Sequence, residues 1–181
     1  MRVCARTRHS PLATRHSPLA TRHSPLATPM TELSRTKFLQ SMPEVVVPKL
    51  PASLQSIQSR QPWRWLIQFH FGEPALHYEI SPAQRRQGWE LGLHCEAKDK
   101  ALNRFLLQGF RRHLFEIKST LGESVEAEMW DRGWTKIYEI YPAQSLTPAY
   151  QAALGARLAN IIICLHPIYA DLRASVARLY R

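Results

Sequence analysis

Apolar and polar residues alternate from Trp63 to Phe71, and this period of two predicts a half-buried strand. The alternation returns at 76–80, after the four-residue loop 72–75, and again at 89–97. A hairpin across that loop brings the apolar residues of both runs to one face of a sheet. The predicted pairs are Phe71 with Leu76, Phe69 with Tyr78 and Ile67 with Ile80.

Between Lys98 and Leu121 the apolar residues follow a helical stripe, and Gly122 stands where a C-terminal cap belongs. Short alternating runs at 125–129 and 134–141 predict a fourth and a fifth strand. The chain would turn between these two strands at Arg132-Gly133.

Thr147-Pro148 supplies the N-cap and first position of a final helix with a long apolar stripe. Pro167 is expected to kink or break this helix, because proline removes a backbone hydrogen bond. The order of elements is three strands, helix, two strands, helix. It predicts an α+β domain with a mostly antiparallel five-stranded sheet and two long helices on one face.

The first 29 residues carry a different pattern, in which the unit Thr-Arg-His-Ser-Pro-Leu-Ala occurs three times without change between Thr7 and Ala27. Repeats that stack into a fold are typically about 20 to 50 residues long and share a core. The seven-nucleotide word ACTCGCC, repeated, encodes this unit in one frame. We therefore interpret 1–29 as translated repetitive DNA, disordered and dispensable, with the start codon assigned too early and Met30 or Met42 as the real start.

Residues 30–62 contain four prolines between short apolar pieces, so we interpret them as a lead-in to a single domain at 63–181. The whole chain has a formal net charge of +10, but 1–29 holds five Arg and no acid, which leaves +5 for the rest. Half of the basic excess therefore comes from the repeats. The modest excess that remains is a weak hint of a nucleic-acid partner.

The three cysteines, Cys4, Cys95 and Cys164, form no Cys-x-x-Cys motif and fit a reducing compartment. The longest aliphatic run, 161–165, is far below the ~20 residues that cross a bilayer, and the N-terminus lacks the apolar stretch of a signal peptide. We expect a cytoplasmic protein with no membrane partner.

The polar sides of the first three strands bring one cluster of side chains to the same face of the predicted sheet. Imidazoles and carboxylates grouped in this way are ligands for zinc, nickel or iron. A solvated face with ordinary cross-strand pairs is the favoured interpretation, so no metal is assigned and the histidines stay candidates. The cluster consists of His70, His77, Glu79, His94 and Glu96.

Glu79 on the second strand, with Glu96 and Lys98 at the end of the third, also resembles the active-site layout of restriction-endonuclease-like enzymes. The resemblance implies two carboxylates that hold Mg²⁺ and a lysine that helps to position water. The chain departs from that pattern because Tyr78, rather than proline, precedes the first acid. This magnesium-dependent nuclease is the alternative function.

Cations on the first long helix and around the last hairpin suggest a surface for a nucleic-acid backbone, and the aromatic residues there suggest a platform for bases. A solvated helix face and packed strand residues explain the same patterns. The candidate residues are Lys100, Arg104, Arg111 and Lys118 on the helix and Arg132, Trp134 and Lys136 on the hairpin.

The sequence contains three notable stretches: ELGLHCEAKDKALNRF at 90–105, KSTLGE at 118–123 and MWD at 129–131. With them the chain resembles, over about residues 63–180, a bacterial domain family of unknown function whose members occur alone or beside restriction-endonuclease-like domains. The resemblance implies an accessory domain without catalytic residues to transfer. The sequence thus predicts a non-catalytic domain that binds a partner, nucleic acid being favoured, with no cofactor. A homodimer through the C-terminal helix is a third possibility.

Overall fold

The computed structural model describes residues 32–83 and 86–179. Within them, six strands form one antiparallel sheet, which confirms the predicted α+β class. The strands are β1 (Gln58–Trp63), β2 (Leu66–His70), β3 (Leu76–Pro82), β4 (Gly88–Cys95), β5 (Glu126–Met129) and β6 (Thr135–Pro142). Their spatial order is β1-β2-β3-β4-β6-β5.

The apolar face of the sheet packs against helices. The helices in the described ranges are α1 (Arg35–Gln40), α2 (Met42–Val46), α3 (Lys100–Arg112), α4 (Leu114–Leu121) and α5 (Pro148–Leu179). Short 3-10 turns lie at Val47–Lys49, Ala52–Leu54 and Asp131–Gly133. The predicted hairpin register is confirmed for two pairs, Ile67 with Ile80 and Phe69 with Tyr78, whereas β2 ends at His70, before Phe71.

The prediction of five strands misses β1, which is an exposed edge strand without alternating burial. The predicted helix 98–121 is two helices, because His113 leaves the helical geometry (φ −97°, ψ 9°). Phe110 and Ile117, on either side of this break, are both fully buried.

The last helix is not broken at Pro167, since α5 continues through it, and the predicted kink stays a prediction. Packing on both sides of the proline holds the helix together. Leu165 is fully buried before it, and Leu172 after it lies against α3. A Cβ atom at Gly109 would be 2.4 Å from Cδ2 of Leu172, so this glycine permits the close approach of α3 and α5.

The segment that the sequence analysis treats as a lead-in contributes to the same core as the sheet. Phe38, Leu39 and Met42 are fully buried in that core, and the ring of Phe38 stacks 5.8 Å from those of Trp89 and Tyr150. The packed region therefore begins before Trp63. The predicted disorder of residues 1–29 lies outside the described residues and stays a prediction.

A buried ion pair fastens α5 to the sheet. Glu139, on the helix-covered face of β6, has a side chain only 3% exposed and receives two hydrogen bonds of 2.5 Å from the guanidinium of Arg157. Arg157 also donates to the carbonyl oxygen of Leu121 at the end of α4.

Between Pro148 and Arg178, α5 is long and apolar enough to cross a membrane, although core helices of soluble proteins pass the same test. The inner side of α5 packs here against the sheet.

Candidate functional site

The face of the sheet opposite the helices, called the polar face below, carries ionisable residues in two rows that run across the strands. One row runs His77, His94, Lys136 and Glu128 on β3, β4, β6 and β5. The next runs Arg60, Gln68, Glu79, Gly92, Tyr138 and Glu126 on all six strands. The sequence placed the histidine and glutamate cluster on one face, and the strand register agrees.

The side chains at the centre of the polar face are buried, although the helices of residues 32–83 and 86–179 pack on the other face. His77 is 1% exposed and His94 is 3% exposed. The two rings stack with centroids 5.6 Å apart, and the Trp130 ring lies edge-on 6.0 Å from His94. Pairing among polar groups on this face therefore takes place largely away from water, where electrostatic interactions are stronger.

Gln68 organises one half of this network. Its Oε1 accepts from Nε of Arg60 at 2.8 Å, and its Nε2 is 2.8 Å from both Oε2 of Glu79 and Nε2 of His77. His77 donates from Nδ1 to the carbonyl oxygen of Pro74 at 2.8 Å. In the neutral ring with hydrogen on Nδ1, Nε2 accepts from the amide of Gln68; in the protonated ring, Nε2 donates to Oε2 of Glu79, 3.3 Å away.

Burial alone would raise the pKa of Glu79, but the contact with His77, the charge of His94 and the hydrogen bond from Gln68 outweigh it and lower the pKa to about 2. Glu79 therefore carries a negative charge at neutral pH.

The pKa of His70, at the end of β2, is also shifted. Burial lowers this pKa, and the charges of Arg60 and His77 lower it further.

His94 lies between carboxylates. Its Nε2 is 3.3 Å from Oε1 of Glu90, and its Nδ1 is 3.7 Å from Oε1 of Glu96. Neither nitrogen has a partner in hydrogen-bond geometry among the described residues. Burial favours the neutral ring, but Glu90, Glu96 and Glu79 prevail and raise the pKa of His94 to about 9, so the ring is an imidazolium at neutral pH.

Lys136 completes the charged centre of the polar face. Its Nζ is 2.9 Å from Glu90 and 3.5 Å from Glu128, and it lies 3.9 Å from the ring centroid of Tyr138. Burial tends to raise the pKa of Glu90, but His94 and Lys136 together lower it. Two carboxylates of the protein therefore balance the positive charge of Lys136.

A cavity of about 690 Å³ opens on the polar face beside these groups. Trp65 and Trp130 are among its aromatic walls, and Glu79, Glu90 and His94 line it with fixed charges. We call this cavity the basin. The volume of the basin is in the range of small-ligand pockets, about 300–1,000 Å³. In the row across the sheet, Gly92 lies between Glu79 and Tyr138, and a Cβ atom there would be 2.6 Å from Cβ of Tyr138.

The predicted nucleic-acid residues divide into two groups. Three of the cations already have partners. Arg111 donates twice to the carbonyl oxygen of Ala127, Lys118 contacts Glu123, and Lys136 is held by the carboxylates described above.

Of the other predicted residues, Lys100, Arg132 and Trp134 lie at the turn between β5 and β6, and Arg104 lies one helical turn after Lys100. The hydrocarbon chain of Lys100 lies beside Gly133, and Nε of Arg104 donates to the carbonyl oxygen of Lys100. The guanidinium of Arg132 lies 5.5 Å from the ring centroid of Trp134, which is 5.3 Å from that of Trp130. We call Lys100, Arg104 and Arg132 the basic corner.

The residues of the nuclease alternative lie on the polar face but turn to different partners. Glu79 pairs with Gly92, whereas the backbone nitrogen of Glu96 donates to the carbonyl oxygen of Ala75, just before β3 and four residues before Glu79. The backbones of the two acids are therefore offset by roughly 13 Å along the strands, and their carboxylates contact different histidines, His77 for Glu79 and His94 for Glu96. Lys98 is exposed in the loop between β4 and α3.

Sequence reasoning missed the residues that bind these parts together. Asn103 is fully buried, exchanges two hydrogen bonds with the backbone of Ala97 (3.1 and 2.9 Å) and donates to the carbonyl oxygen of Gly133 at 3.3 Å. An asparagine within an otherwise strong helix-forming run is the one signal that could have identified it. The predicted hairpin register places Gln68 opposite Glu79, and the structure confirms that pair, but the bond from Arg60 lies on β1, which the sequence did not predict.

Comparisons with protein-family models, curated proteins and solved structures gave no match to this chain. The resemblance to a bacterial domain family therefore stays a prediction.

Proposed function

We propose that this protein is a non-catalytic domain that binds single-stranded nucleic acid at the basic corner, with bases stacked on Trp134 and Trp130. One observation carries the proposal: the side chain of Lys100 lies beside Gly133 in the β5–β6 turn, next to the Arg132 guanidinium and the adjoining rings of Trp134 and Trp130. Base–aromatic stacking beside a basic track is how proteins bind single strands without sequence preference.

The charges of the basic corner are available to phosphates. Lys100, Arg104 and Arg132 are all exposed, and the ion pair of Arg132 with Asp131 joins two side chains that are 72% and 64% exposed. Exposed pairs of this kind contribute only about 0–1 kcal/mol, so a phosphate can replace the carboxylate.

Trp130 links the basic corner to the basin, since its ring contacts Trp134 on one side and lines the cavity on the other. Glu128 and Asp131 also line the basin. Carboxylates accept hydrogen bonds from the amino groups of bases. A base that passes the Trp130 ring therefore meets acceptors, while the phosphates stay at the basic corner.

Fixed charges support binding rather than acid–base chemistry. A general acid or base works best with a pKa near the operating pH. In the basin, Glu79 has a pKa of about 2 and His94 of about 9, and the surroundings lower the pKa of Glu90. Each of these groups keeps one charge state near neutral pH.

The test is fluorescence anisotropy with a short labelled oligocytidylate, whose bases carry amino groups, between about 50 and 200 mM salt. Each single-strand phosphate contact adds about −0.7 to the slope of log K against log salt, so three contacts predict a slope of about −2. The background for all variants is Arg8→Gln, Arg15→Gln and Arg22→Gln, which removes the cations of the repeated units.

In that background, Lys100→Gln with Arg104→Gln should reduce the slope to about −0.7. Trp134→Ala should weaken binding by about 1–3 kcal/mol and leave the slope unchanged. Lys118→Gln is the matched control, because Lys118 already contacts Glu123. Equal slopes in the double variant and the control would refute the proposed surface.

A further inference from the structure

We infer that His77, His94 and Glu96 form a binding site for a divalent transition metal, with Zn²⁺ or Co²⁺ as the probe. This inference is independent of nucleic-acid binding. The sequence left His70, His77 and His94 as candidates; the structure keeps the last two, replaces His70 with Glu96, and supplies the geometry.

The three donors are already close together. One ligand atom from each of the three residues lies within 4.8 Å of the other two. An ion at the centre of a triangle of that size is at most about 2.8 Å from each donor, and zinc bonds to nitrogen and oxygen are about 2.0–2.2 Å long. Each donor therefore needs to move inward by less than about 1 Å, which side-chain rotation can supply.

The backbone fixes the two histidines in register. His77 on β3 and His94 on β4 are cross-strand partners, and Glu96 follows two residues after His94, on the same side of the strand. Two imidazoles and one carboxylate form the ligand set that zinc enzymes use when one coordination position stays open. His94 also lines the basin, so an ion there is reachable from the cavity.

Two observations point to a ligand at this position. Both ring nitrogens of His94 are buried and have no partner in hydrogen-bond geometry among the described residues. One of them releases its proton when it binds the metal, so metal binding replaces the positive charge of the ring. The Nδ1 of His77 donates to the carbonyl oxygen of Pro74, which is the second hydrogen bond that metal-binding histidines almost always make, and it leaves the lone pair on Nε2. A metal at that nitrogen competes with the amide of Gln68.

The experiment uses the full chain, without an affinity tag, after treatment with a chelator. Co²⁺ is titrated while the visible absorption is followed, because tetrahedral coordination by nitrogen and oxygen gives intense bands that the hydrated ion lacks. Zn²⁺ is then added and should abolish the bands by displacing Co²⁺, because d¹⁰ zinc loses no ligand-field stabilisation in a tetrahedral site. We expect one equivalent of Co²⁺ at saturation.

The decisive variant is Glu96→Gln, because Glu96 is the most exposed ligand and its loss is the least damaging to the fold. It should weaken Co²⁺ binding by more than about 10-fold, the lower limit for losing even an outer partner of a metal ligand. His77→Ala should do the same. Two controls, His113→Ala on the exposed helix break and His9→Ala with His16→Ala and His23→Ala in the repeats, should leave the affinity unchanged.

Absence of the tetrahedral spectrum in the full chain would overturn the inference. So would equal Co²⁺ affinity in Glu96→Gln and the unsubstituted chain, or loss of the spectrum in the repeat variant alone. In each case the cluster is a hydrogen-bonded support of the polar face and the basin. The nucleic-acid assay, performed with a chelator present, is unaffected by either result.

Discussion

Replacing Arg157 with leucine should destabilise the protein strongly, although Arg157 lies partly at the surface. The substitution removes both hydrogen bonds to Glu139 and the bond to the carbonyl oxygen of Leu121. The Glu139 carboxylate then keeps one donor among the described side chains, the hydroxyl of Ser124 at 3.2 Å. A buried carboxylate is left without its counter-charge.

The size of the effect follows from how deeply each partner is buried. Breaking a buried ion pair from one side costs about 3–5 kcal/mol. The Arg157 side chain is 23% exposed, so water can reach the vacated space and the lower end, about 3 kcal/mol, is expected. Glu139→Gln should cost less, about 1–2 kcal/mol, because the amide still accepts a hydrogen bond and the guanidinium still reaches water.

The assay is equilibrium unfolding in urea. The free energy of unfolding, extrapolated to zero urea, is compared between variants, together with its slope against urea concentration. The double variant Glu139→Leu with Arg157→Leu should be more stable than Arg157→Leu alone, since no unpaired charge remains. A cost below about 0.5 kcal/mol for Arg157→Leu, which is the size of an ordinary surface substitution, would refute this reasoning.

Two further stability predictions follow. With a chelator present, the free energy of unfolding should be greatest between about pH 4.5 and 6.5. The raised pKa of His94, about 9, contributes about 3 kcal/mol below pH 6.5, and this contribution is lost as the pH rises through 9. The lowered pKa of Glu79, about 2, contributes above pH 4.5, and this contribution is lost as the pH falls toward 2. His94→Gln should remove the alkaline loss in urea titrations, and an unchanged alkaline limb would contradict the assignment. A chain that begins at Met30 should melt within a few degrees of the full chain, whereas one that begins at Met42 loses the buried side chains of Phe38 and Leu39, each worth about 2–5 kcal/mol, and should melt far lower. Equal melting temperatures for the two shortened chains would contradict the packing of α1.

The sheet could be predicted from the sequence because its information is local. The alternation in β2 and β3 fixes which side of each strand is buried, and a short loop fixes the register, so Phe69 meets Tyr78 as expected. The stretch 32–62 contains no such period. Its short helices form because Phe38 and Leu39 pack against residues more than 100 positions away, such as Tyr150, and a local pattern does not contain that contact.

The polar face shows the same division. The sequence placed His77, His94 and Glu96 on one side of the sheet, but it did not indicate the burial of the two histidines, where the Trp130 ring contacts His94 and the Gln68 amide contacts His77. The cations of α3 gave no sign that the carbonyl oxygen of Ala127 would hold Arg111 while Arg104 stayed exposed. Which charges a ligand can use is a property of the tertiary structure.

Under the proposed function, Asn103 lowers the entropy that binding would cost. By joining the end of β4 to Gly133, its amide orders the loop that precedes α3 and the β5–β6 turn before any ligand arrives. A ligand at the basic corner then meets a surface that is already ordered, and less of its interaction energy is consumed in freezing side chains and loops. The protein should therefore bind with a small heat-capacity change and little dependence of the association rate on loop motion, as rigid surfaces do.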